Sequence, residues 1–352
     1  MLPGIVAVHC GAGVHSQSFY SEYNRISKEA SLSGIQVLRS GGSALDAVKE
    51  AVVVLENHPR PNCGYGSNLT LNGGVENDAS IMNGKTLLYG GCGAVKRIKN
   101  PIELAYSLCK NQTKDNTLGL IPPSLLVGPG AHSYAKKMGL KMVKNATLIS
   151  KTSEKQHKKF LKIYEECGIM NTDDDTSFDT VGAVCMDQNG DFAAACSSGG
   201  ILLKWPGRLG QGALYASGTW ADSFDKENEP SVAVCTSGVG EYLVRTQLAK
   251  EIAVDVKNNY CPTMGLHNSI TEKFIKSIFL RNVEEKLCGA LVLRRNGSEV
   301  SLTWGQSTKT MSLGYMRTDN KKPTALISEL PTGSIVGQTV NVGGYHFYIE
   351  PR

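Results

Sequence analysis

Six short stretches of this chain hold residues that could do chemistry. The most telling is the junction Ser177-Phe178-Asp179-Thr180-Val181-Gly182-Ala183-Val184, where an acidic run, Asp173-Asp174-Asp175, leads into an apolar segment that opens on a threonine. A threonine hydroxyl is a poor nucleophile without a base, but a free α-amino group on the same residue can serve as one. That amine exists only once the Asp179–Thr180 bond is broken. Taken alone, a threonine opening a strand is also what ordinary β propensity produces. After the junction come Ser197-Ser198-Gly199-Gly200, Pro206-Gly207-Arg208-Leu209-Gly210 and Thr236-Ser237-Gly238-Val239-Gly240-Glu241. Before it lie His9-Cys10-Gly11-Ala12-Gly13 and Asn62-Cys63-Gly64-Tyr65-Gly66. No Ser/His/Asp triad, nucleophile elbow or phosphate loop competes with them. His9, at a strand end before a glycine turn, reads as a hydrogen-bonded structural histidine.

The elements that must position these residues follow from periodicity. Ile5–Val8 reads as a short buried strand, and helices are expected over 21–39 and 43–57, the second capped by Ser43. Val75–Met82 and Thr86–Tyr89 read as a hairpin about Asn83-Gly84, followed by a helix from Pro101 to about Cys109. Residues 146–177 read as a solvated helical insertion ending in an acidic linker. Ser153 and Gln156 are expected to form its capping box, and Phe160, Ile163, Tyr164 and Cys167 its apolar stripe. Strands follow at Thr180–Met186 and Phe192–Cys196, then one helix from about Glu241, then strands near 288–294, 300–304 and 312–316. Antiparallel hairpins interleaved with blocks of helices predict a layered α/β protein.

Composition narrows the class. Of 352 residues, 41% are hydrophobic and 20% charged, enough apolar material for a sizeable core. The net charge of +5 is too weak to point to nucleic acid. No apolar stretch approaches the length of a membrane span, and the start lacks the form of a signal peptide. Ten cysteines are spread singly, without zinc-ligand spacing, so no metal site and a reduced, intracellular protein are expected.

The six stretches, in this order, resemble the N-terminal-nucleophile hydrolases of the type 2 asparaginase family, from about Val6 to the C-terminal region. The Asp-Thr junction and the SSGG and TSGxGE variants look like its taspase (threonine aspartase) branch. The resemblance implies a single αββα four-layer sandwich, made as a precursor and cut into an α chain, 1–179, and a β chain, 180–352. It implies Thr180 as nucleophile, Ser198 as the hydroxyl that orients it, and Ser237 and Gly238 as oxyanion donors. Arg208 would clamp the substrate carboxylate, and Asn62 and Gly11 would line the processing site. No cofactor is implied, though the family resemblance allows a structural sodium in the glycine loops and a homodimer of αβ units.

Gln211 departs from the asparaginase pattern, where an aspartate holds the free α-ammonium of the substrate. A neutral Gln211 suits a substrate whose α-nitrogen is acylated. The expectation is therefore a threonine endopeptidase cleaving after aspartate at apolar-Asp sites in proteins. The taspase resemblance adds nuclear chromatin and transcription factor precursors as its substrates, with nucleus and cytoplasm as location. The lysines between Lys151 and Lys162 form at most a weak import patch. The alternatives are an asparaginase or isoaspartyl peptidase, or a silent scaffold. Retention of Thr180, Ser198, Arg208 and Ser237 together argues against the scaffold.

Overall fold

The computed structural model describes residues 2–113, 119–167, 180–223 and 229–349. Its centre is an eight-stranded sheet in the order β12-β11-β1-β5-β6-β2-β3-β4. The strands, in chain order, are β1 (Ile5–Gly13), β2 (Asn77–Asn83), β3 (Leu88–Val95), β4 (Leu125–Val127), β5 (Val181–Met186), β6 (Phe192–Ser198), β11 (Thr310–Arg317) and β12 (Thr324–Glu329). A second sheet of five strands runs β13-β10-β9-β8-β7. It comprises β7 (Thr219–Asp222), β8 (Ser231–Gly238), β9 (Cys288–Asn296), β10 (Glu299–Gln306) and β13 (Asn341–Tyr348).

Side-chain alternation stacks the layers, because successive residues of a strand face opposite sides of the sheet. Val6 and Val8 of β1 and Val181, Ala183 and Cys185 of β5 face outward. There they share a core with α1 (Tyr20–Arg39), α2 (Ala44–Glu56), α3 (Pro101–Asn111) and α4 (Gly128–Lys137). Ile5, Ala7, Val184 and Met186 point the other way and meet Ala233, Cys235, Leu291 and Leu293 of the second sheet. The far face of that sheet, through Val232, Val234 and Val292, packs on α7 (Leu248–Asn258) and α8 (Pro262–Ser269). The molecule is thus an αββα four-layer sandwich of the N-terminal-nucleophile hydrolase type. Strands buried on both faces read as continuous apolar runs, as Val181–Met186 does.

Local chemistry explains most element ends. The Ser43 hydroxyl accepts the Asp46 N–H at 3.2 Å while the Asp46 carboxylate accepts the Ser43 N–H, a reciprocal cap on α2. Four expectations need correction. The second strand of the hairpin begins at Leu88, because the Asn83 side chain accepts the Lys85 and Thr86 N–H groups and draws them into the turn. The helix of the 146–177 segment, α5 (Lys151–Cys167), is capped by Ser150, whose hydroxyl accepts the Ser153 N–H at 3.1 Å, so Ser153 lies inside it. The acidic linker and Asp179 lie outside the described residues. The helix expected from Glu241 is two, α6 (Gly240–Thr246) and α7, broken at Gln247, whose φ of 47° is left-handed. Finally, a full strand inside the second sheet, β8, precedes α6 and carries Ser237 and Gly238 at its end, where no strand was expected.

Glu56 closes α2 as a fully buried carboxyl. Its Oε1 accepts the Ser197 hydroxyl at 2.7 Å and the Ile102 N–H at 3.0 Å, while its Oε2 has no hydrogen-bond partner. Burial pushes this carboxyl up to about 8 against the opposing pull of those donors. The unfolded chain gives up this proton at an ordinary carboxylate pH, so between roughly pH 5 and 8 the folded state binds the extra proton and stability falls as pH rises. Glu56→Gln, which keeps the shape without the charge, should be at least as stable as wild type at pH 8.5. It should also flatten the decline, as read by urea midpoints at pH 5.5, 7 and 8.5. A steeper decline in the variant would show that Glu56 is ionised in the fold.

Candidate active site

Thr180 stands one residue before β5, buried, at the end of the central sheet. The register Val181↔Ser197 between β5 and β6 brings Ser198 beside it. The two hydroxyls lie 2.9 Å apart and share a hydrogen bond. Ser198 Oγ accepts the Gly200 N–H at 3.0 Å, and Thr180 Oγ1 accepts the Gln211 side-chain N–H at 3.1 Å. Each oxygen therefore has a fixed donor aimed at it, which leaves the proton between them as the mobile one. Thr180, Ser198, Gln211, Arg208, Asn62 and Gly238 line one small cleft.

Arg208 forms a two-point ion pair that the sequence did not reveal. Its Nε and Nη2 donate to the two Glu241 oxygens at 2.8 and 2.6 Å. Burial alone would raise the Glu241 carboxyl, but the guanidinium prevails and holds it below the ordinary carboxylate range. Three glycines cradle the guanidinium. A Cβ at Gly200 or Gly210 would come within 3.1 or 2.7 Å of Nη1, and one at Gly240 within 2.8 Å of Nη2. The glycine clusters of this sequence thus have a local purpose, which is to let backbone lie flat against the cation.

Buried acids hold the Arg208 loop. Asp78 accepts the Gly210 N–H at 2.8 Å and the Ala94 N–H at 2.9 Å, and Glu76 accepts the Gly207 N–H at 2.7 Å. Lys204, also buried, donates to the Glu76 carbonyl at 2.7 Å. Burial pushes Asp78 up and Lys204 down, each toward its neutral form. Glu76, Asp78 and Lys204 belong to no motif read from the sequence as functional, and Glu241, which closes the Thr236–Glu241 stretch, was given no role there.

The remaining expected residues divide. Asn62 reaches the site: its Oδ1 accepts the Asn68 N–H and its Nδ2 donates to the Gly200 carbonyl, both at 2.8 Å. Gly11, with φ of 112°, and Ser237 do not line the cleft. The Ser237 hydroxyl instead accepts the Ala12 N–H at 3.1 Å, tying the glycine turn of β1 to the end of β8. Gly238 lies at the cleft with φ of 125°. Neither His9 ring nitrogen meets strict hydrogen-bond geometry, but the Thr180 backbone lies against the ring and favours its charged form. Complete burial pushes it down to about 3, so it stays neutral.

Comparison with known proteins sets this geometry in a family. The asparaginase model of the Asparaginase_2 family matches residues 2–326. The isoaspartyl peptidase/L-asparaginase of Mus musculus is 39% identical over 70% of this chain and 70% of its own length. That of Danio rerio is 32% identical over 90% of this chain and 92% of its own. A plant-type L-asparaginase of Pyrococcus horikoshii is 32% identical over 91% and 98%. These relatives overturn the expectation of an endopeptidase cleaving nuclear factor precursors after aspartate, and with it the taspase assignment. That expectation rested on the neutrality of Gln211. In the structure the Gln211 amide donates to the Thr180 hydroxyl, so its neutral type answers to that partner. From its layers, its site and these relatives, the chain belongs to the type 2 asparaginase family of N-terminal-nucleophile hydrolases.

Proposed function

We propose that this chain is a self-cleaving hydrolase of β-aspartyl amides, acting on asparagine or isoaspartyl peptides with Thr180 as nucleophile. The observation that carries the reading is the Thr180 hydroxyl, 2.9 Å from Ser198 and lining one cleft with Arg208. In the precursor the Thr180 oxygen attacks the Asp179 carbonyl, the peptide C–N bond breaks, and an ester with a free α-amine forms. Water hydrolyses the ester, leaving Asp179 as a carboxylate terminus and Thr180 as a new N-terminus. That amine then takes the Thr180 hydroxyl proton as the oxygen attacks the β-carbonyl of the substrate. The proton passes to the departing amine, the aspartyl group stays esterified to Thr180, and water releases aspartate.

The other residues fit supporting roles. Arg208 pairs with the substrate α-carboxylate, and a planar fork suits that partner. Glu241, already held against Arg208, is the negative charge at this end of the site and suits the α-ammonium. Gln211 and Ser198 fix the direction of the nucleophile's lone pairs, and the Gly238 backbone lies where the oxyanion develops.

Purified wild type should run as two fragments of nearly equal size on a denaturing gel, with sequencing placing a new N-terminus at Thr180. Thr180→Ala should stay full length and inactive, and cleavage at the same bond in that variant would end the proposal. The processed protein should release aspartate from asparagine or a β-aspartyl dipeptide. Because the base is an α-amine, which ordinarily titrates at about 7.7–8.0, kcat/KM should fall about tenfold per pH unit below that range. A flat profile from pH 6 to 8 would remove the amine as base. Gly240→Ala should disturb both stability and activity. Its Cβ would lie 2.7 Å from Gln211 Oε1, 2.8 Å from Arg208 Nη2 and 3.1 Å from the Gly210 backbone. We expect a lower Tm, by about 1–3 kcal/mol of stability, and kcat/KM lower by about tenfold or more.

A further inference from the structure

Behind the Thr180 cleft sits a buried cation with no part in the hydrolytic steps. Lys204 is 2% exposed, and its ammonium donates to the Glu76 carbonyl at 2.7 Å. We propose that Lys204 is a positioning residue: its ammonium supplies the charge that lets the Asp78 carboxylate hold two backbone N–H groups, and with them the Arg208 loop. The proposal rests on the hydrolase reading above and adds a residue to its machinery.

Backbone geometry sends this side chain inward. Lys204 forms an isolated β bridge with Thr70, and its carbonyl accepts the Leu71 N–H at 2.9 Å. The residue before it, Leu203, has φ of 54°, a left-handed conformation that leucine rarely takes. Such strain persists only where the surroundings fix it. The ammonium then lies against Gly200, where a Cβ would come within 2.9 Å of Lys204 Nζ and 3.1 Å of Arg208 Nη1. Gly200 is itself a hub of the site. Its N–H donates to Ser198 Oγ, and its carbonyl accepts the Asn62 and Asn68 side chains. Asp78 stands opposite Ser198 in the register of β2 and β6.

Charge connects these contacts. Asp78 is fully buried, with Oδ1 accepting the Ala94 N–H and Oδ2 the Gly210 N–H. A protonated carboxyl would give up part of that acceptor capacity. Burial opposes the ionised form most strongly, and Lys204 heads the groups that favour it, ahead of the two N–H donors and Arg208. It acts through space, in an interior that screens charge poorly. Arg208 is already engaged by Glu241, and Glu76 by Lys96 at 2.9 Å. Tyr89, Cys92 and Cys196 also face Asp78, and burial keeps each of them neutral. Lys204 is therefore the cation on which the Asp78 carboxylate depends, and removing it leaves a buried charge uncompensated.

Lys204→Met tests this, because it keeps the apolar stem and removes the charge. Without the cation the Asp78 carboxyl is pushed further up, so falling pH protonates it and loosens its hold on Gly210. For processed protein, KM for asparagine or a β-aspartyl dipeptide should exceed wild type about tenfold at pH 6 and come within about threefold at pH 8.5, with kcat changed less. Asp78→Asn cannot ionise, so its KM should be raised by a factor that stays flat over this range. The double variant should be no worse than Asp78→Asn alone. A KM ratio for Lys204→Met that ignores pH, or losses that add in the double variant, would mark a packing role only and overturn the proposal. Should Lys204→Met fail to fold, the double variant decides. It should fold, since the uncompensated carboxylate is gone, and an unfolded double variant ends the proposal. Infrared difference spectra give a readout independent of turnover. Lys204→Met minus the double variant should show a protonated-carboxyl band at pH 6 that wild type minus Asp78→Asn lacks, and its absence there would refute the role of Lys204. If wild type hydrolyses no β-aspartyl compound, the hydrolase reading fails and the positioning role falls with it, whatever the spectra show.

Discussion

The register of β5 between β1 and β6 is the constraint on which the site depends. Val181 pairs with Ser197 and Gly182 faces His9, so Thr180 emerges beside Ser198 and nowhere else. Gly182 admits this arrangement because a side chain there would collide with the His9 ring nitrogen and would lie 2.7 Å from Cys235 Sγ. The strand therefore sits flush against the second sheet. Its alternate residues are committed, Val181 and Ala183 to the helices, Val184 and Met186 to the second sheet. A slip of one residue would exchange these faces and carry the hydroxyl out of the site. The geometry of the nucleophile is thus set by apolar burial across a whole layer.

That dependence explains what was legible in the sequence. The apolar runs and glycine turns around Ile5–Val8 and Thr180–Met186 gave the strands, and the Ser43 cap gave the start of α2, because those signals are local. Thr180, Ser198, Arg208 and Asn62 were found through motifs, since each motif keeps a hydroxyl, guanidinium or amide beside its own turn. The residues that were missed act across the fold. Glu241 meets Arg208 from 33 positions away, and Asp78 holds Gly210 from 132. Nothing in the neighbourhood of Asp78 announces its partner, and the motif that ends on Glu241 does not point to Arg208. Gln247 adopts a left-handed φ that its type does not suggest, so one expected helix became two.

Gln211 marks where a single position was asked for too much. Its neutral side chain was read as a statement about substrate charge, when a buried amide must first satisfy its own hydrogen bonds. The structure gives it the Thr180 hydroxyl, an acceptor that a carboxylate in the same place could not serve as donor. Its type thus answers to the nucleophile it faces. The charged groups of the site lie beyond it, in the Arg208–Glu241 pair.

That pair poses the last physical question, how a cation already neutralised can still bind a carboxylate. A lone guanidinium this enclosed would be costly to keep charged, and Glu241 offsets the cost in the free protein. The two acids beneath the loop make the arrangement rigid, because Asp78 and Glu76 hold the N–H groups of Gly210 and Gly207 on either side of Arg208. The glycine cradle then fixes which edge of the guanidinium stays toward Gly200 and Gly210, whichever partner occupies the other. An arriving α-amino acid, carrying both charges, can add its carboxylate to the cation and its ammonium to Glu241 without leaving either protein charge unpaired. A ligand with only one of these charges must leave one side uncompensated, and beside a guanidinium this enclosed that difference discriminates.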